Sequence, residues 1–182
     1  MFEKLDIKTE TEDGFKEEIN KRMTKEVELQ EKDLTKESIY KTLLEMNKFL
    51  APQATINEQA DLMRKDALMR MGRSVEEAPD DLFPTSDFIE NAEKRVKLDL
   101  LFAELVKHYD LKVEKEDLDN LIDEEAKKYK DADQFKGWIE SQPQQLDQFR
   151  MIALEKLLIE KLEIDLKSKD KVVEFSELAN IK

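Results

Sequence analysis

Residues 88–108 read FIENAEKRVKLDLLFAELVKH, and their spacing decides the fold class. Ile89, Ala92, Val96, Leu100, Ala103 and Leu105 return near one stripe of a 3.6-residue helix, with acids and bases between them. Leu98, Leu101 and Phe102 widen that stripe beyond what one narrow packing seam requires. A helix is predicted here with apolar surface to spare.

The same period extends in both directions. Upstream, residues 73–87 hold Pro79, Pro84 and a run of acids, and Ser74 with Glu77 is expected to cap a short turn in this joint between helical pairs. Before the joint, Thr55-Ile56-Asn57-Glu58 has the form of a capping box opening a helix that runs through Met69 and stops at Gly72. Further upstream Phe15, Ile19, Met23 and Val27 recur four apart, followed by Leu34, Ile39, Leu43, Met46 and Leu50. They predict one long amphipathic helix ending near Ala51-Pro52, because proline disfavours helical geometry in the residue before it. Downstream, Leu118, Leu121, Ile122, Ala126 and Tyr129 mark a helix after Val113, and Phe135, Trp138 and Ile139 mark a short one broken near Gln142-Pro143. A final long helix is expected over about 144–166, with another turn or two in 175–181. No segment alternates with the period of a strand, and no repeat of fixed length is present. The reading is all-α.

Composition agrees. Three Gly and four Pro among 182 residues are too few for the turns of a β-sandwich or the Gly-rich loops of a nucleotide fold. The charge balance, 44 acids against 31 bases for a formal net of −13, repels phosphate backbones and anionic lipid, so no nucleic acid and no membrane is expected as a partner. No apolar run approaches the roughly 18 residues that span a bilayer. With no Cys there is no disulfide or thiolate metal site, and the cytoplasm is the default address.

Catalytic groups are scarce. His108 is the single histidine, and at a helix end it reads as a surface charge partner. Carboxylate pairs such as Glu124-Glu125 or Asp80-Asp81 are background in so acidic a chain. Asp131-Ala132-Asp133 fails as a calcium loop, since Phe135 takes a ligand position and Gly137 comes one residue late. Neither phosphate-loop nor dinucleotide glycine pattern occurs. No catalytic residue, metal site or cofactor is expected. What the chain has in surplus is apolar: seven Met, nine Phe, three Tyr and one Trp. Met63, Met69 and Met71 fall in one helix, where Leu68 and Met71 continue the face begun by Met63 and Ala67. Such residues serve either as core or as an adaptable binding lining, since the unbranched thioether repacks against varied partners.

The order of these features resembles the C-terminal domain of bacterial trigger factor. Residues 51–57 (APQATIN) with Met63-Arg64-Lys65 look like the opening of that family's first arm, and residues 91–96 (NAEKRV) with Leu100-Leu101 and Glu104 resemble its following arm helix. Residues 121–124 (LIDE) with Ala126 and Tyr129 continue the match, which extends through Arg150 and residues 153–155 to Phe175-Ser176-Glu177-Leu178. The resemblance implies an elongated cradle: a spine over about 1–52, one helical-hairpin arm over about 53–110, a second over about 111–163, and a C-terminal helix and tail over about 164–182. It implies an ATP-independent chaperone that holds unfolded or nascent polypeptides. Tyr129, Phe135 and Trp138 match apolar positions with which the family holds clients, and Met63, Met69, Met71, Leu98, Leu101, Phe102 and Phe149 are carried over as cradle lining. The family's ribosome-docking and prolyl-isomerase domains have no counterpart in these residues, so ribosome contact and proline isomerisation are not expected of them, and the chain looks like an excised C-terminal domain or a naturally short relative. A homodimer burying the arms is a further expectation. The rival reading is a rigid helical scaffold with one fixed partner.

Overall fold

The structure is a computed structural model that describes residues 11–73, 79 and 82–166. The expected cap at Ser74 and Glu77 and the expected turns in 175–181 lie outside the described residues. The chain divides into two compact units, residues 1–39 with 167–182, and residues 40–166. Six α-helices account for most of the described residues, which include no strand, so the all-α reading holds. Among the described residues no helix is long and apolar enough to cross a membrane.

Helix α1, Glu12–Met46, starts behind Thr11, whose hydroxyl accepts the Gly14 N–H at 3.2 Å. Within the first unit Phe15, Ile19, Val27 and Leu34 are half-buried and Ile39 is buried, as their spacing predicts, whereas Met23 of the same stripe is exposed. The helix ends before Ala51-Pro52. Asn47 turns back instead, its side-chain amide and its backbone N–H both donating to the Leu43 carbonyl, at 2.9 and 3.1 Å. Leu43 is buried, but Met46 is exposed and Leu50 is 95% exposed, so these last two leave the stripe to which their spacing assigned them.

In the second unit, α2 (Gln53–Arg70) packs along α3 (Ile89–His108). The capping box expected at Thr55 is not formed: the helix begins two residues earlier, behind extended Pro52, whose fixed φ sets the entry and whose carbonyl accepts the Ile56 N–H at 3.1 Å. Its other end closes as predicted on Gly72, at φ +69. The Gly72 N–H reaches the Met69 carbonyl and the Arg73 N–H reaches the Leu68 carbonyl, at 2.9 and 3.0 Å, which satisfies groups the helix leaves open. Ile56, Ala60, Ala92 and Val96 form the core between α2 and α3. Ala60 and Ala92 are fully buried, and their small side chains let the two backbones approach. A 3-10 turn, Thr85–Phe88, leads into α3 and is tied back to α2: the Arg64 Nε donates to the Phe83 carbonyl at 2.8 Å and the Thr85 hydroxyl to Asp61 at 2.9 Å.

Helices α4 (Lys115–Ala126), α5 (Ala132–Ser141) and α6 (Pro143–Asp165) pack on one another, and α6 also meets α3. A capping box does occur at α4, where the Asp117 carboxylate accepts the Glu114 N–H at 3.0 Å and Glu114 reciprocates. Asp131 caps α5 by accepting the Gln134 N–H at 2.9 Å. Gln142 is extended, as a residue before proline must be, and Pro143 opens α6 where its missing N–H costs nothing. Leu118, Ile122 and Ile139 are the core of this group. Leu158 on α6 is fully buried, and burying a leucine is worth about 1.5–3 kcal/mol.

Candidate functional site

Four of the singled-out residues come together at the α4–α5 turn. Helix α4 stops at Ala126, so Tyr129 lies in the turn and not on the helix as its spacing suggested. Freed from helical geometry, its ring stacks on Phe135 with centroids 4.1 Å apart and planes at 14°. Phe135 also meets Trp138 at 6.3 Å and, edge to face, Phe149 of α6 at 6.4 Å. Phe135 and Phe149 rest on the core formed by Leu118, Ile122 and Ile139, whereas Tyr129 and Trp138 are 51% and 49% exposed. The arrangement is a shelf of rings, anchored from below and open above. Aromatic contacts of this kind are worth about 0.5–1.5 kcal/mol each beyond the area they bury.

Ion pairs hold the shelf's edge. Lys136 of α5 meets Asp123 of α4 at 2.6 Å, and Lys128 meets Glu125 at 2.7 Å. The hydrogen bond to its carboxylate raises the pKa of each lysine.

The remaining residues expected to line a cradle are dispersed. Met63 packs against the core between α2 and α3, while Met69 and Met71 stand 55% and 54% exposed. Leu68 is fully buried, so it does not share a face with Met71 as expected: Met71 sits at the end of the helix, beside the Gly72 turn. Leu98, Leu101 and Phe102 are half-buried, and Phe102 meets the Tyr40 ring edge-on at 5.2 Å.

Further apolar residues are exposed. Leu62 is exposed beside inward-turned Met63, and Met151 and Ile152 are exposed on α6. The signal for Leu62 is its i, i+7 relation to Met69, which puts both on the flank of α2 away from Ile56 and Ala60. Tyr40 donates a hydrogen bond to Glu155, a pairing without any sequence signature. Burial and then that bond push the tyrosine's pKa up. Asp99 nearby has its pKa raised by burial, with Arg95 opposing and Glu155 reinforcing the shift. His108 ends α3 on the surface, ring to ring with Tyr109 at 5.0 Å. Among the described residues no group of three or more His, Asp or Glu is placed to hold a metal ion. The shelf offers apolar contact and no reactive group.

The family model described as bacterial trigger factor protein C-terminus matches residues 11–163. Trigger factor of Idiomarina loihiensis is 33% identical over 170 residues, covering 93% of this chain and 39% of that protein. Trigger factor of Pseudomonas fluorescens strain SBW25 is 31% identical over 97% of this chain and 40% of its own length. That of Shewanella denitrificans is 34% identical over 92% of this chain and 38% of its own. The chain thus spans about two fifths of the relatives it matches.

Proposed function

Since the chain belongs to the family of the bacterial trigger factor C-terminus, we propose that it is an ATP-independent chaperone module that holds unfolded or nascent polypeptide on dispersed apolar patches. The carrying observation is the half-exposed shelf of Tyr129, Phe135 and Trp138. The second patch is the exposed flank of α2 with Leu62 and Met69. The spine and arms set out from the resemblance are part of this proposal, with α2 and α3 forming arm one and α4 to α6 arm two.

The energetics suit holding without an energy source. Apolar area leaving water contributes roughly 25 cal/mol per Å² before ordering costs, so one small patch binds weakly. Patches on two hairpins that engage one client make each later contact intramolecular, which raises avidity with no single tight site. Weak contacts break often, and a client that buries its own apolar segments ceases to compete.

An aggregation assay with a chemically unfolded model protein, run without nucleotide, tests the reading. The wild-type chain is expected to suppress light scattering, and Tyr129→Ala/Phe135→Ala/Trp138→Ala to suppress it less at unchanged helical content. Equal protection by the triple variant would refute the shelf's role. Binding to a single folded protein, with none to unrelated unfolded chains, would favour the scaffold reading instead.

A further inference from the structure

One flank of the ring shelf is poor in charge. Charged residues are 41% of the chain, yet residues 134–149 hold only Lys136, Glu140, and Asp147. At about 100° per residue, Gln134, Trp138 and Ser141 share one flank of α5, and Lys136 and Glu140 fall on the other. Lys136 is spent there on Asp123. On α6, Gln145, Gln148 and Ile152 lie on one side of Phe149, and Asp147 and Arg150 on the other, paired with each other at 2.8 Å. Phe135, Trp138 and Phe149 are therefore flanked on one side by neutral amides, while Tyr129 sits between Lys128 and Lys130 and the other side carries the Lys136–Asp123 pair.

The side chains of Gln134, Gln145 and Gln148 make no hydrogen bond within the described protein. A glutamine amide both donates and accepts, and so complements the N–H and C=O that an unfolded chain exposes at every residue. An extended peptide turns its groups to the same side every second residue, about 6.6 Å apart, while Gln145 and Gln148 sit about 4.5 Å apart along α6 on long, adjustable side chains.

We propose that the amides of Gln134, Gln145 and Gln148 bind the main chain of an extended client segment whose apolar side chains lie on the neighbouring rings. This rests on the holding role proposed above. The shelf recognises unpaired backbone, the one feature common to all unfolded clients and withdrawn when they fold.

The test uses the full chain and a fluorescent uncharged peptide alternating Phe or Leu with Ser or Asn, beside the same peptide with two central amides replaced by esters, which removes donors and keeps shape. The wild-type protein is expected to bind the ester form about tenfold more weakly, as two lost hydrogen bonds imply. Gln134→Ala/Gln145→Ala/Gln148→Ala is expected to weaken the amide peptide by a similar factor and to equalise the two peptides, and near-isosteric Gln→Met at the same positions to do likewise. A triple variant that keeps the wild-type ratio, or a wild-type ratio of one, overturns the inference. Tyr129→Ala/Trp138→Ala separates it from its premise: if this pair abolishes binding while the glutamine variants keep the ratio, only the inference falls. If the aromatic pair changes nothing, the holding role at this shelf falls and takes the inference with it.

Discussion

Two glycines, given the same substitution, are expected to respond with opposite sign. Gly72 closes α2 at φ +69, and a Cβ built there meets nothing within 4 Å. The cost of Gly72→Ala is therefore conformational and not steric: the left-handed region costs an L-residue about 1–2 kcal/mol, and restriction of the unfolded chain returns about 0.5 of it. The net loss is about 1 kcal/mol. Gly137 lies inside α5, and its Cβ also meets nothing within 4 Å. Gly137→Ala is expected to stabilise by about 0.5–1 kcal/mol, through better helix propensity and a less flexible unfolded chain. Urea unfolding followed by circular dichroism reads both. Trp138, the single tryptophan, lies next to Gly137 and reports on the α4–α6 group alone. If α2–α3 and α4–α6 unfold together, Gly72→Ala lowers the fluorescence midpoint as much as the dichroism midpoint. If fluorescence is unmoved, the two groups unfold separately. A Gly72→Ala variant as stable as the parent would refute the left-handed cap and the argument built on it.

Asp110, at φ +48, holds the equivalent position after α3, where the Leu111 N–H reaches the Val106 carbonyl at 3.0 Å. Asp110→Gly is expected to raise stability by about 0.5–1 kcal/mol, since the exposed Asp110–Lys112 pair it removes contributes little; a lower midpoint would contradict this. Asp99→Asn tests the sign of a pKa shift: with the folded value raised above the unfolded one by burial, ionisation opposes folding, so wild-type stability falls as pH rises through that range. The variant is expected to be the more stable at pH 7 and to lose its advantage as pH drops below the carboxylate range, and a pH-independent difference in urea midpoint would rule the account out.

Much of the fold was legible because periodic burial writes itself into spacing: Ile89, Ala92 and Val96 turned inward as read, although Leu100 and Ala103 of the same stripe are exposed, and Pro143 marked the start of α6. Helix ends were less legible. Asn47 ends α1 through a bond to Leu43 that no proline announces, and Glu114 heads the real capping box while Thr55 offered a better-looking one. Periodicity also carried Tyr129 onto a helix that stops three residues before it. Neighbours such as Leu62 and Met63 are chemically alike, yet one is exposed and the other packs on the core, so composition could not separate surface from core. The coming together of Tyr129, Phe135, Trp138 and Phe149 needed the turn at 127–131, and residue types alone do not specify its path.

The hydrogen bond from Tyr40 to Glu155 joins residues 115 positions apart. On a chain made from its N-terminus, Tyr40 emerges long before its acceptor, and the loop between them closes only after most of the second unit exists. Helices α2 and α3, whose core contacts are nearer in sequence, can pair while synthesis continues. A product truncated before α6 would leave the Tyr40 hydroxyl without its carboxylate, and translation order is thereby built into the assembly order of a protein whose proposed task is to attend to other chains in that same interval.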